Sequence, residues 1–153
     1  MNDRSFNPHF TVAAVAERDG KFLLVHEYVG GVECFNNPAG HVEEGESPAE
    51  AIVREVYEET GYRFTPEALG GVYVWRKPED GETFVRCNFI GSCGEHDPTA
   101  ALDEDIIGPE WYDLDELRER EGMLRSPLVL RSLHEYLDGI RYPLEAITTL
   151  IEA

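Results

Sequence analysis

Ser47-Pro48-Ala49-Glu50-Ala51-Ile52-Val53-Arg54-Glu55-Val56-Tyr57-Glu58-Glu59-Thr60-Gly61 spells out a helix with both of its ends marked. Ser47 is a natural N-cap, Pro48 suits the first helical position, and Glu50, three residues after Ser47, closes a capping box. Ala49, Ile52, Val53 and Val56 recur at helical spacing as an apolar stripe, and Gly61 supplies the C-terminal stop. The spacing therefore predicts a core-docked helix from Ser47 to Thr60. Its polar side carries Glu50, Arg54, Glu55, Glu58 and Glu59; at about 3.6 residues per turn, Glu55, Glu58 and Glu59 share an arc of roughly 100°.

Such crowding has a cost. Like charges three or four residues apart destabilise a helix by about 0.2–0.5 kcal/mol per pair, and acids in the last turn oppose the helix dipole by about 0.3–1 kcal/mol each. One reading is an exposed acidic face, since glutamate is a good helix former. The other is a cation site. Upstream lies Phe35-Asn36-Asn37-Pro38-Ala39-Gly40-His41, expected to be irregular backbone, in which Gly40 is small enough to bring a carbonyl close to the carboxylates. Carboxylates joined by a carbonyl form a hard-oxygen site suited to Mg²⁺ or Mn²⁺.

Further from the helix, Phe10 to Glu17 and Lys21 to Tyr28 read as a β-hairpin turning at Asp19-Gly20. Gly71 to Lys77 and Thr83 to Ser92 are strand-like across Pro78-Glu79-Asp80-Gly81, and Glu110-Trp111-Tyr112 is a short further strand. Asp113 to Glu121 reads as helical, and Ser126-Pro127 opens a last helix that Gly139 closes. That helix either lines a pocket or completes the core. Strands interrupted by helices, with no repeat or linker, indicate one mixed α/β domain over residues 1–153.

Composition narrows the function. The chain has 153 residues, 42% of them hydrophobic, enough for a core without staples. Cys34, Cys87 and Cys93 lack the spacing of a disulfide framework or zinc site and are expected as buried thiols. A net charge of −18 disfavours nucleic-acid polymers, whereas a small anionic substrate is accessible where a divalent metal bridges the charge. No apolar run approaches the roughly 18 residues of a membrane span, and Met1-Asn2-Asp3-Arg4 leads into Phe6-Asn7-Pro8 without a signal-peptide core, so a cytoplasmic protein without membrane contact is expected. Monomer and homodimer both stay open.

Gly40, five residues, Glu46, seven residues, then Arg54-Glu55-Val56-Tyr57-Glu58-Glu59-Thr60-Gly61-Tyr62 resembles a complete Nudix box. Its one departure is Tyr62, where that family usually carries an aliphatic residue. The resemblance implies the Nudix fold, a mixed β-sheet sandwiched between α-helices, and Mg²⁺-dependent hydrolysis of a phosphoanhydride. It implies that Glu55, Glu58 and Glu59 ligate metal with the Gly40 carbonyl, and that Glu55 doubles as base for the attacking water. Glu46 and Arg54 match the box's other charged positions, either as an orienting ion pair or as an ordinary surface pair. Family members often add an acid from a loop before the last strand; counting back from Trp111, Asp105 is the first choice and Glu104 the second, with a solvated acidic loop as the alternative.

Pro38-Ala39-Gly40-His41, Leu124-Arg125-Ser126-Pro127-Leu128-Val129 and Arg141-Tyr142-Pro143-Leu144-Glu145 resemble the NudJ-type branch of that family. This likeness implies nucleoside di- and triphosphates and thiamine-related pyrophosphates, including hydroxymethylpyrimidine pyrophosphate, as substrates. Trp75 is either a core aromatic or a platform for a base, with Arg76 and Lys77 beside it; Arg86 and Arg125 are further phosphate candidates, and His41 follows Gly40 in the expected site. A dinucleotide or ADP-ribose diphosphohydrolase is the second enzymatic reading. A nucleotide-sensing module without catalysis is the third, and it would be favoured by loss of box carboxylates, none of which is lost.

Overall fold

A computed structural model of the protein describes residues 5–151; Met1-Asn2-Asp3-Arg4, which entered the signal-peptide expectation, lies outside them. The first hairpin forms as expected: β1 (His9–Arg18) turns into β2 (Lys21–Val29) through Asp19 and Gly20, at φ 52° and 77°. Positive φ at both central residues gives the turn a twist that matches the two strands. The ladder is short, Glu17 to Phe22 and Arg18 to Lys21, because the strands then part to join different neighbours.

Two elements depart from the irregular stretch expected over Phe35 to His41. β3 (Val32–Asn36) returns along β2 from the Gly30-Gly31 turn, and β4 (Ala39–His41) pairs antiparallel with β1. Neither has a local signal of its own; each is a strand because a distant edge supplies its hydrogen bonds. The helix α1 (Pro48–Thr60) carries the whole expected cap: Ser47 Oγ accepts the Glu50 N–H at 3.1 Å, Glu50 Oε1 accepts the Ser47 N–H at 3.2 Å, and the Gly61 N–H reaches the Tyr57 carbonyl at 2.9 Å.

β5 (Tyr62–Arg76) and β6 (Thr83–His96) are longer than the sequence pattern indicated. Register shifts between Tyr62 and Phe64, Pro66 and Ala68, and Leu69 and Gly71 break the two-residue alternation and accommodate Pro66, which hid the strand's first half. β7 (Ile106–Tyr112) follows, then α2 (Leu114–Glu119), capped by Asp113, and α3 (Leu128–Leu137), whose Leu128 N–H is taken by Ser126 Oγ. The strand order is β3-β2-β1-β6-β5, with β4 on β1 and β7 on β2; β1 and β6 run parallel, so the sheet is mixed.

Helices cover both faces. Val12, Ala14 and Ala16 of β1 pack with Ile52 and Val56 of α1, while Val15 and Ile90 pack with Leu117 of α2 and Val129 and Leu133 of α3. Burial on both sides explains why β1 reads as a near-continuous apolar run instead of an alternating one. Down the α1 axis, the buried arc holds Pro48, Ala51, Ile52 and Val56, while Val53 is exposed, unlike the expected stripe. Glu55 and Glu59 lie within this buried arc, between Ala51 and Ile52, which sets aside the exposed-face reading for these two acids. Among the described residues, no helix is long and apolar enough to cross a membrane.

Candidate active site

A cavity of about 800 Å³ opens over β1, β5 and β6, bounded by β3, by the β4 strand and by the segment leading into α3. Glu55 and Glu59 reach it from α1, one helical turn apart. Glu59 Oε1 accepts the Ala39 N–H at 2.8 Å, tying α1 to β4. Gly40 sits against the other carboxylate: a Cβ there would lie 2.1 Å from Glu55 Cδ, so only glycine permits this approach.

Arg54 braces the assembly. Its Nε and Nη2 clasp Glu46 at 2.7 and 2.9 Å, Nη2 also donates to the His41 carbonyl at 3.0 Å, and Nη1 bridges Glu55 and Glu58 at 2.8 and 3.1 Å. One guanidinium thereby pins the loop to the helix and partly offsets two carboxylates. The Glu46 contact holds that carboxyl below its ordinary range.

Carboxylate oxygens of Glu55, Glu58 and Asp103 lie within 4.8 Å of one another. The Asp103 N–H donates to the Glu58 carbonyl at 3.1 Å, which brings the loop acid to the end of the helix. Burial raises the Glu55 pKa despite Arg54, and raises that of Glu59 well above the ordinary range despite the Ala39 N–H. Partly desolvated carboxylates this close are held as anions at a cost, and a hard divalent cation is the partner that such oxygens fit. Among Asp103, Glu104 and Asp105, Asp103 is the one whose carboxylate is grouped with Glu55 and Glu58. Asp105 instead adopts a left-handed backbone, φ 70°, and its carbonyl accepts the Tyr28 N–H at 2.8 Å, so its role in the loop is a main-chain one.

Of the expected substrate residues, Trp75, Arg86, Arg125 and His41 line the cavity, whereas Arg76 does not. Strand alternation separates them: Trp75 and Lys77 share the cavity face, and Arg76 points to the other side, near Gly81. Period two placed Arg76 opposite Trp75 from the outset, which is the signal that should have chosen Lys77. Trp75 is half-buried beside Phe84, with ring centroids 5.9 Å apart, and so belongs to the wall and not to the core. Arg125 is paired with buried Glu27 at 2.7 Å. His41 bonds through Nε2 to His9 Nδ1 at 2.9 Å, and His9 in turn stacks on Phe84. The segment before α3 contributes Met123, Leu124 and Ser126, so the last helix both completes the core through Val129 and Leu133 and lines the pocket through Leu128.

The NUDIX domain model matches residues 6–132. This chain belongs to the Nudix family. As a Nudix hydrolase it is an enzyme that cleaves phosphorus-containing anhydrides in small phosphorylated molecules. It is 41% identical over 142 residues to Phosphatase NudJ of Escherichia coli (strain K12), covering 93% of this chain and 92% of that protein. A NUDIX hydrolase from Nitrosomonas europaea superposes with a TM-score of 0.92 at 43% identity, covering 94% of this chain and 98% of the other. A MutT NUDIX hydrolase from Burkholderia pseudomallei, 22% identical with a TM-score of 0.69 over 85% of this chain and 98% of its own, shares the fold.

Proposed function

We propose that this Nudix hydrolase uses Mg²⁺, or Mn²⁺ in its place, to hydrolyse nucleoside di- and triphosphates and thiamine-related pyrophosphates such as hydroxymethylpyrimidine pyrophosphate. The observation that supports it best is the convergence of Glu55, Glu58 and Asp103 oxygens at the end of α1, beside a cavity whose other wall carries Lys77, Arg86 and Arg125. The likeness to Phosphatase NudJ over nearly the full length of both chains supports the same substrate class.

In this reading Glu55, Glu58, Glu59 and the Gly40 carbonyl hold the metal, and Asp103 takes the place expected for Asp105 or Glu104. When bound, the metal neutralises the anhydride's charge and acidifies a water nucleophile. Glu55, buried and close to Gly40, accepts the proton of that water. Arg54 and Glu46 keep the carboxylates oriented and touch no substrate. Trp75 and Phe84 provide apolar faces for the organic ring, while Arg125 and Lys77 meet phosphate oxygens near the cavity mouth.

A panel of nucleoside di- and triphosphates, thiamine pyrophosphate, hydroxymethylpyrimidine pyrophosphate and ADP-ribose, assayed with Mg²⁺ and with EDTA, tests this reading. Metal-dependent orthophosphate release from the first groups is expected. Turnover of ADP-ribose alone, with two phosphate-bearing organic products by chromatography, would replace it with the diphosphohydrolase reading. Nucleotide binding in calorimetry with no turnover would replace it with a sensing module.

A further inference from the structure

The floor of the cavity holds a cation without a counter-ion. Arg86 is 6% exposed, lines the cavity, and makes no ion pair within 4.0 Å among the described residues. Its Nη2 donates to Asn37 Oδ1 at 3.1 Å, and its Nε has no hydrogen-bond partner. Asn36 Oδ1, Asn37 Nδ2 and both side-chain polar atoms of Asn88 are likewise buried without partners. Glu59 attracts Arg86 electrostatically but does not reach contact distance, while Arg125 repels it. Burial and that repulsion lower the Arg86 pKa to about 10, so the side chain is still a cation at neutral pH.

Leaving a buried charge unpaired is strongly destabilising, and each orphaned buried polar group adds to that cost. A fold keeps such a cluster where something else completes it. Two observations point to the missing partner: Arg86 lines the cavity, and the side chain holding its guanidinium is a neutral amide, Asn37, which positions Arg86 without cancelling its charge. Arg125 pairs with Glu27 and Lys77 with Asp80 at 3.5 Å, whereas Arg86 has no carboxylate partner among the described residues.

Building on the phosphoanhydride reading, we propose that Arg86, positioned by Asn37 and flanked by Asn36, is the core of a metal-independent phosphate subsite on the cavity floor, separate from the carboxylate cluster. It takes a tetrahedral oxyanion: the substrate phosphate that is not on the metals, which remains as orthophosphate after cleavage. The site therefore retains affinity for inorganic phosphate when no metal is present, and orthophosphate competes with substrate.

Titration of the full chain with inorganic phosphate, by calorimetry and by melting temperature, in EDTA and again in Mg²⁺, tests this. Saturable binding in EDTA is expected, with a phosphate-dependent rise in Tm. Asn37→Asp supplies the missing counter-charge in place and Arg86→Met removes the cation; each should weaken phosphate binding at least roughly tenfold, the loss expected for a charged hydrogen bond. Both variants should melt no lower than the parent without phosphate, since each relieves an unpaired buried charge. Arg76→Ala, outside the cavity, should bind phosphate in EDTA as the parent does. Absence of binding in EDTA, or parental affinity in either Asn37→Asp or Arg86→Met, overturns the proposal; the substrate panel fails or succeeds independently of either result.

Discussion

The two walls of the cavity house their charges in opposite ways. On one side Glu55 lines the cavity and is crowded by Glu58 and Asp103, with Arg54 laced between Glu55 and Glu58 and Glu46 behind it. On the other, Lys77, Arg86 and Arg125 stand apart, on β5, on β6 and ahead of α3, each held by a different neighbour. The acidic cluster is like-charged, with Glu55 buried, Glu58 half-buried and Asp103 exposed, and its oxygens are of the kind that suit a divalent cation. The basic wall is a set of separate donors suited to the dispersed oxygens of a substrate. On the proposed reading, chemistry is concentrated beside the first wall and selection is distributed over the second.

If that division holds, the largest effect belongs to Glu55→Gln. Turnover at saturating Mg²⁺ should fall at least roughly 100-fold, with no loss in Tm, because a partly buried charge is removed; retained turnover would remove Glu55 from the chemistry. Gly40→Ala comes next. Its methyl would enter the space of the Glu55 carboxylate, so kcat should drop by roughly 10–100-fold, and a crystal structure should show Glu55 displaced.

The loop acids give a sharper contrast. Asp103→Asn should raise the Mg²⁺ concentration for half-maximal rate by roughly tenfold, whereas Asp105→Asn should change it less than about twofold; the reverse ranking would restore the order expected from counting. On the basic wall, Trp75→Ala should raise KM by about five- to tenfold with kcat nearly unchanged, the signature of lost stacking, and Arg76→Ala should leave both within about twofold. Equal effects from the two would mean that β5 presents the opposite face to substrate.

The smallest expected effect is on stability with pH. Glu55 and Glu59 both hold their protons more tightly in the fold than in the unfolded chain, so the metal-free protein binds more protons when native. Their contribution is therefore full below the ordinary glutamate range and is lost as pH rises through the raised values. In EDTA, Tm should decline on going upward from that range toward neutrality, and the gain in Tm on adding Mg²⁺ should grow over the same interval, since metal binds the ionised form. A Tm in EDTA that climbs steadily across this interval would contradict the burial of these two acids.

What the sequence alone determined is whatever closes within a few residues. The Ser47 cap, the Glu50 return bond, the Gly61 stop and the Asp19-Gly20 turn are local hydrogen bonds and local dihedrals, and all are found where the pattern placed them. The spacing from Gly40 to Glu59 is local in the same sense, because one helix and the segment before it bring Gly40 against Glu55 and tie Ala39 to Glu59. Tertiary structure decided what depends on partners far along the chain. β3 and β4 exist because β2 and β1 have edges to offer, and Arg76 leaves the cavity because the register of β5 against β6 fixes which face looks inward. Asp103 lies beside Glu58 because its backbone is tethered there, a bond between residues 45 apart in number. The same physics turned the acidic helix face inside out: periodicity groups Glu55 with Glu59, but only packing against the sheet shows that this side of α1 is buried and opens into the cavity.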